Sequence, residues 1–426
     1  MRRFWAVLAA LMCLAVATAC GGGDDGGGDE GEAANAEEES PSDDEMEIEE
    51  APEEEVDLDE EDVIEVLQEF WEDHEDEVEL DFQEVEEDRI VTLDDEPPIC
   101  GGTPLFLEDL VGNAAAINCP EGPTIAWDPE YLEDREDDFG EAGPAVTLSH
   151  EFGHIVQIQQ GILGQQLSVF QENQADCYAG AFIAEQVEEE FGPFADPVSI
   201  DLAMGARLSS ADPVGYDPEA EDAHGSGFDR VRAFQDGYNQ GVDYCYGYLE
   251  DPPFIDEIPF GSEEDLQNEG NLPFDEVVDL VVDDLEWWFE ENVDDFEEPD
   301  DPFELVDEDD LEELHADIGD GVVPTILGLT WAQAAQEAVD EDTDGEGAFL
   351  QRACVVGAWL GDILRDQQDD VVERPSGASL SPGDLDEAIS TMVRVTSEEM
   401  HEGGVAFEAV FDMRQGVFGS LEDCRL

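Results

Sequence analysis

The stretch Val146–Gln157, VTLSHEFGHIVQ, limits the fold more than any other. Residues four apart in a helix share one face, about 6 Å apart along the axis, so His150 and His154 can reach one metal ion with Glu151 beside it. This is the HExxH arrangement, in which two imidazoles hold zinc and the glutamate takes a proton from a water that the metal activates. A tetrahedral hydrolytic site needs one further protein ligand and leaves its fourth position to water. A second helix is expected over Phe170–Val187, with Ala175, Tyr178 and Phe182 on one apolar stripe, and it opens with Glu172-Asn-Gln-Ala-Asp176. Glu172 is the expected third ligand. Asp176, one turn on, is placed to accept the free N–H of a ligating histidine and fix its tautomer. In a chain this acidic a glutamate beside a histidine arises by chance; five such residues in order do not. Gly153, inside the first helix, costs about 0.5–1 kcal/mol relative to alanine, which close packing beneath the metal would explain.

These residues resemble a family of bacterial neutral zinc metallopeptidases: His150-Glu-Phe-Gly-His154-Ile-Val-Gln157, then Glu172-Asn-Gln-Ala-Asp-Cys-Tyr-Ala-Gly180. Cys100-Gly-Gly, Asn118-Cys-Pro with Ile125-Ala-Trp-Asp128, and His224-Gly-Ser-Gly-Phe-Asp-Arg230 running to Cys245 fit it as well. The resemblance covers about residues 60–250. It implies a zincin-like fold with Glu172 as third ligand and names a chemistry without a substrate.

Met1-Arg-Arg, the apolar run Phe4–Val16 and Ala17-Thr-Ala-Cys20 read as a secretory signal over residues 1–20, too short for a spanning helix. Cys20 before three glycines resembles a bacterial lipoprotein site, although Ala17 stands where such sites prefer leucine. The expected location is the cell envelope, lipid-anchored to the outer face of the cytoplasmic membrane or otherwise secreted. Residues 21–58, rich in glycine, aspartate and glutamate and without an aromatic, cannot bury enough apolar surface to offset chain entropy and read as a disordered tether.

The chain carries 118 Asp+Glu against 13 Lys+Arg, a net charge of -105, and every basic residue is arginine. Such a surface repels itself unless molar salt shortens the Debye length to about 3 Å, so a halophilic habitat is expected. The sign of the field excludes nucleic acid and anionic lipid as partners. Acidic runs read as a solvated surface.

The expected fold is α+β and helix-rich, a zincin-like metallopeptidase domain over 59–250 with a small sheet above the active-site helix. Asp62–Glu77 carries Val63, Val66, Leu67, Phe70 and Trp71 at helical spacing, and Arg89–Leu93 and Thr124–Trp127 read as strands. A linker over 251–270 leads to residues 271–426, which repeat the first domain. Phe228 and Cys245 recur as Phe407 and Cys424, each 179 residues on, as do Asp128, Leu132 and Gly140 in Asp307, Leu311 and Gly319. Near the second helix the step is 177, from Cys177, Gly180 and Phe182 to Cys354, Gly357 and Trp359. Through that register His150, Glu151, His154, Glu172 and Asp176 become Leu329, Thr330, Gln333, Phe349 and Ala353. The second copy is therefore expected to keep the fold without zinc, leaving one Zn2+ per chain.

Beyond the signal region six cysteines remain, an even number that in an exported chain favours disulfides. Of the fifteen pairings, the repeat favours Cys177–Cys245 with its counterpart Cys354–Cys424, leaving Cys100–Cys119. His224, whose counterpart is Gly403, is a candidate donor to the oxyanion or a structural histidine. His74, His315 and His401 have no partner motif. Asp340-Glu-Asp342-Thr-Asp344-Gly345 resembles the start of a calcium loop, but its twelfth position is Gln351 where a bidentate glutamate is required. The sequence thus points to a zinc metallopeptidase acting on a peptide or protein substrate, with Glu151 as general base. The alternative is a non-catalytic envelope binding or scaffold protein with a relic zinc site.

Overall fold

Val63, Leu67, Phe70 and Trp71 bury one face of helix α1 (Glu60–Asp73). Five short strands follow: β1 (Ile90–Thr92), β2 (Ile99–Cys100), β3 (Thr103–Pro104), β4 (Ala114–Cys119) and β5 (Gly122–Trp127). Next come α2 (Pro129–Phe139), α3 (Ala142–Gln160), α4 (Ser168–Glu188), α5 (Val198–Leu208), α6 (Gly227–Gln240) and α7 (Val242–Gly247). The rest is helical: α8 (Phe274–Asn292), α9 (Glu308–Ile318), α10 (Val322–Ala338), α11 (Glu346–Asp369), α12 (Asp384–Glu399) and α13 (Val405–Phe418). The architecture is helix-rich with a small sheet, an α+β arrangement. This computed structural model describes residues 60–426 apart from 107–109, 249, 256, 257, 259, 261, 263–265, 269, 370–373 and 400–403. The signal segment, Cys20, the acidic tether, His401 and Gly403 lie outside the described residues, none of whose helices is long and apolar enough to cross a membrane.

The three-stranded sheet has the order β1-β5-β4, with β1 parallel and β4 antiparallel to β5. β1 and β5 are the strands legible in the sequence. β4 begins Ala114-Ala115-Ala116, residues that favour helix, and is a strand because its whole length pairs with β5.

α3 is buried on every side from Ala142 to Gln157, as befits a central helix, and ends where Gly161 turns left-handed at φ 72°. A Cβ on Gly153 would stand 2.9 Å from the Ala175 Cα of α4, so this glycine permits the close approach that the sequence called for. α4 and α6 meet backbone to backbone: Gly180 faces the Phe234 carbonyl and Gly237 the Cys177 carbonyl, with no room for a Cβ at either. α11 and α13 meet in the same way, Gly357 against the Met413 carbonyl and Gly416 against that of Cys354. A disulfide ties the first helix of each pair to the segment after the second, Cys177 of α4 to Cys245 of α7 and Cys354 of α11 to Cys424 beyond α13, both with Cα atoms 5.5 Å apart. Cys100–Cys119 ties the β2–β3 hairpin to the end of β4. One continuous cluster of buried apolar side chains runs from Val63 to Cys424, through both helix pairs.

Candidate metal centre

α3 and α4 bring His150, Glu151, His154, Glu172 and Asp176 together. The two imidazole centroids lie 4.8 Å apart on one face of α3. His150 Nε2 is 3.2 Å from Glu172 Oε2, and His154 Nε2 is 3.2 Å from Glu172 Oε1. The three potential ligand atoms lie within 4.8 Å of one another, and both histidines are buried.

The opposite ring nitrogens face other groups, which fixes the His154 tautomer and favours the same one for His150. His150 Nδ1 is 2.7 Å from Asp176 Oδ1. His154 Nδ1 is 2.9 Å from Gln157 Oε1. The Gln157 amide donates to Gln171 O and Gln174 Oε1, so its oxygen must face His154 and Nδ1 must carry the proton. His150 Nδ1 lies against the buried Asp176 carboxylate without the alignment of a hydrogen bond, a contact that favours a proton on the same nitrogen. Each Nε2, on the side that faces the Glu172 carboxylate, is then the nitrogen left for a metal ion, as a tetrahedral His-His-Glu site requires. The three residues could therefore hold a metal ion. In the protein alone, burial opposes the charge on His154, but the adjacent Glu172 carboxylate holds it up at about 9. Burial likewise opposes ionisation of Glu172, and the His154 and His150 imidazoles lower its pKa well below the ordinary range.

Asp176 is wholly buried and carries two arginines besides His150. Arg230 of α6 donates to both of its oxygens, Nε at 2.8 Å and Nη2 at 3.1 Å, and Arg207 of α5 donates at 3.2 Å. Burial alone would raise the Asp176 pKa; Arg230 and His150 reverse that and hold it far below the usual carboxylate range. Glu151 Oε2 accepts the Ala116 N–H of β4 at 2.8 Å, which ties the carboxylate to the sheet.

His224 stands on the loop between α5 and α6 with its side chain 51 % exposed and Nδ1 3.4 Å from Asp212 Oδ1. Asp212, chiefly, and the field of Glu172 raise its pKa, although burial works against them. The other described histidines pair with carboxylates, His74 with Glu77 and Glu185, His315 with Asp320. Gln351 at the end of the calcium-like loop donates to the Cys424 and Arg425 carbonyls. Nothing in the sequence singles out Arg207, Asp212 or the role of Gln157, and Arg230 stands there only as the end of the His224–Arg230 stretch. Compared with family models, with curated proteins and with solved structures, the chain gives no match.

Proposed function

We propose that this chain is an exported zinc metallopeptidase, with a zincin-like domain over 59–250 and a repeat of that domain over 271–426 that has lost the metal ligands. The observation that carries the reading is the pair of buried imidazoles, backed by Asp176 and Gln157 and both facing Glu172, with Glu151 next to His150. His150, His154 and Glu172 would hold the zinc, which when bound polarises a carbonyl and acidifies water. Glu151 takes the proton of the attacking water and returns it to the leaving amine. Its anchorage on Ala116 keeps the carboxylate at the sheet edge. Asp128 N–H bonds Asn113 O, and hydrogen-bonded pairs alternate along an antiparallel ladder, so Ala114, Ala116 and Asn118 face away from β5. An extended peptide added along that edge would pass its backbone across Glu151. His224 is the candidate donor to the developing oxyanion.

The repeat is supported by two hydrogen-bond networks that match position for position. Gln157 donates to Gln171 O and Gln174 Oε1, and Gln174 to Cys245 O. In the C-terminal half Gln336 donates to Ala348 O and Gln351 Oε1, and Gln351 to Cys424 O. Export is supported by the three disulfides, and Cys20 is the proposed lipid attachment to the outer face of the cytoplasmic membrane.

The test is Glu151→Gln, assayed on peptide substrates in molar salt with zinc measured in parallel. The reading expects one zinc retained and turnover lost. Substantial peptidase activity in that variant would rule out this general base, and a parent without turnover on any peptide would favour the scaffold alternative.

A further inference from the structure

Asp176, which orients His150, is held by arginines on α5 and α6, and both helices are locked to the C-terminal half by one reciprocal contact. At the start of α6 the Gly227 and Phe228 N–H groups donate to Asp386 of α12, at 2.8 and 2.7 Å. At the start of α13 the Gly404 and Phe407 N–H groups donate to Asp201 of α5, at 2.8 and 2.7 Å. Phe228 and Phe407 are equivalent in the 179-residue register, so each half caps a helix of the other through the same device. A charged acceptor at a helix start satisfies orphan N–H groups and opposes the dipole.

The two caps differ in what lies behind them. Arg230 sits in the first turn of α6, three residues past Gly227, and reaches Asp176. The equivalent position on α13 is Ala409, buried in the apolar core. The Asp386 side also seats the loop that carries Asp212 and His224: Asp212, Gly225, Ser226 and Asp386 line one cavity, and Val214 stands against Gly383.

Resting on the metal-centre reading, we propose that the C-terminal half serves as a built-in partner subunit of the metal site, with Asp386 as its positioning residue. Asp386 fixes the first turn of α6, that turn holds Arg230 on Asp176, and Asp176 holds the His150 imidazole. The half without ligands is retained because the half with ligands is incomplete without it.

The repeat supplies a matched control. Asp386→Asn and Asp201→Asn each remove the charge of a helix cap between the halves, but Asp386 fixes the turn that carries Arg230 and its two bonds to Asp176, whereas the turn that Asp201 fixes is that of α13, and α5 itself reaches Asp176 only through the single, longer Arg207 contact. Zinc affinity of the full chain is measured by chelator competition in molar salt, at conditions where each variant is fully folded, beside the thermal midpoint. Both variants should melt earlier by similar amounts. Asp386→Asn should bind zinc about tenfold more weakly, the lower end of what loss of an outer partner of a ligand costs, and Asp201→Asn should stay close to the parent. If Asp386→Asn does not fold, Asp386→Ser, which keeps one acceptor, carries the comparison. Equal zinc affinity in the two variants, with zinc bound normally by the parent, would overturn the proposal. A parent that binds no zinc would instead overturn the metal centre on which it rests.

Discussion

The helix trio α3, α4, α6 and the trio α10, α11, α13 share a set of contacts and are filled with opposite chemistry. Both have the glycine contacts, the disulfide and the glutamine network. In the first trio the space between the helices holds two histidines, two carboxylates and Arg230. In the second, the positions of His150, Glu172, Asp176 and Arg230 hold Leu329, Phe349, Ala353 and Ala409, all buried. Even the Nδ1 contact of His154 has a substitute, since Arg352 Nη1 donates to Gln336 Oε1. The comparison teaches that the frame needs no buried histidine–carboxylate–arginine cluster at these positions. Desolvating a charged cluster is costly and apolar replacements of similar volume are often neutral or better, so its presence in the first trio calls for a chemical reason.

Removing one member of the ionic cluster should break the comparison most sharply. Asp176→Ala leaves Arg207 and Arg230 as buried like charges and should cost ~3–5 kcal/mol by denaturant unfolding, although alanine already occupies the equivalent position in the second trio. A loss under about 1 kcal/mol would mean that the cluster is not a tightly coupled unit. Gly237→Ala and Gly416→Ala should sharpen the shared part, since a Cβ at either meets a backbone carbonyl of the facing helix. Each should cost about 1–3 kcal/mol by the same measurement, and by similar amounts if the frames are equivalent.

A smaller, pH-dependent difference separates the starts of α3 and α10. Glu387 accepts the Gly321 N–H beside α10, and burial, helped by Asp320 and Asp386, pushes its carboxyl up to about 8 against that hydrogen bond. Glu387 also stands against Gly319, and the counterpart of that glycine beside α3, Gly140, faces Leu202 instead. Because the folded carboxyl holds its proton more tightly than the unfolded one, its stabilising contribution is complete below pH 4.5 and is lost as pH rises through about 8. Glu387→Gln should flatten the fall in melting temperature across that window by an amount equivalent to ~1–3 kcal/mol. Parallel curves for parent and variant would show that this carboxyl does not titrate as its burial requires.

What the sequence made legible was local or repeated. The ligand helices follow from the spacing of His150, His154 and Glu172, Gly153 from its helical cost, and the disulfide pairs from the repeat register. What it hid was long-range or masked by composition. β4 is written in alanines and becomes a strand only on pairing with β5 and meeting Glu151. Asp201, Asp212 and Asp386 carry specific backbone contacts, two of them to residues more than 150 positions away, yet among 118 acidic residues nothing local distinguishes them from solvated surface. Arg207 and Arg230 become meaningful only once α5 and α6 are seen to converge on Asp176.

The most direct test is zinc content per chain for the purified protein in molar salt, beside its His154→Ala variant. One zinc in the parent and none in a folded variant is the predicted result, since the second trio has no ligand set to supply another. No zinc in a folded parent supplied with the metal, or zinc retained after His154 is removed, would contradict it.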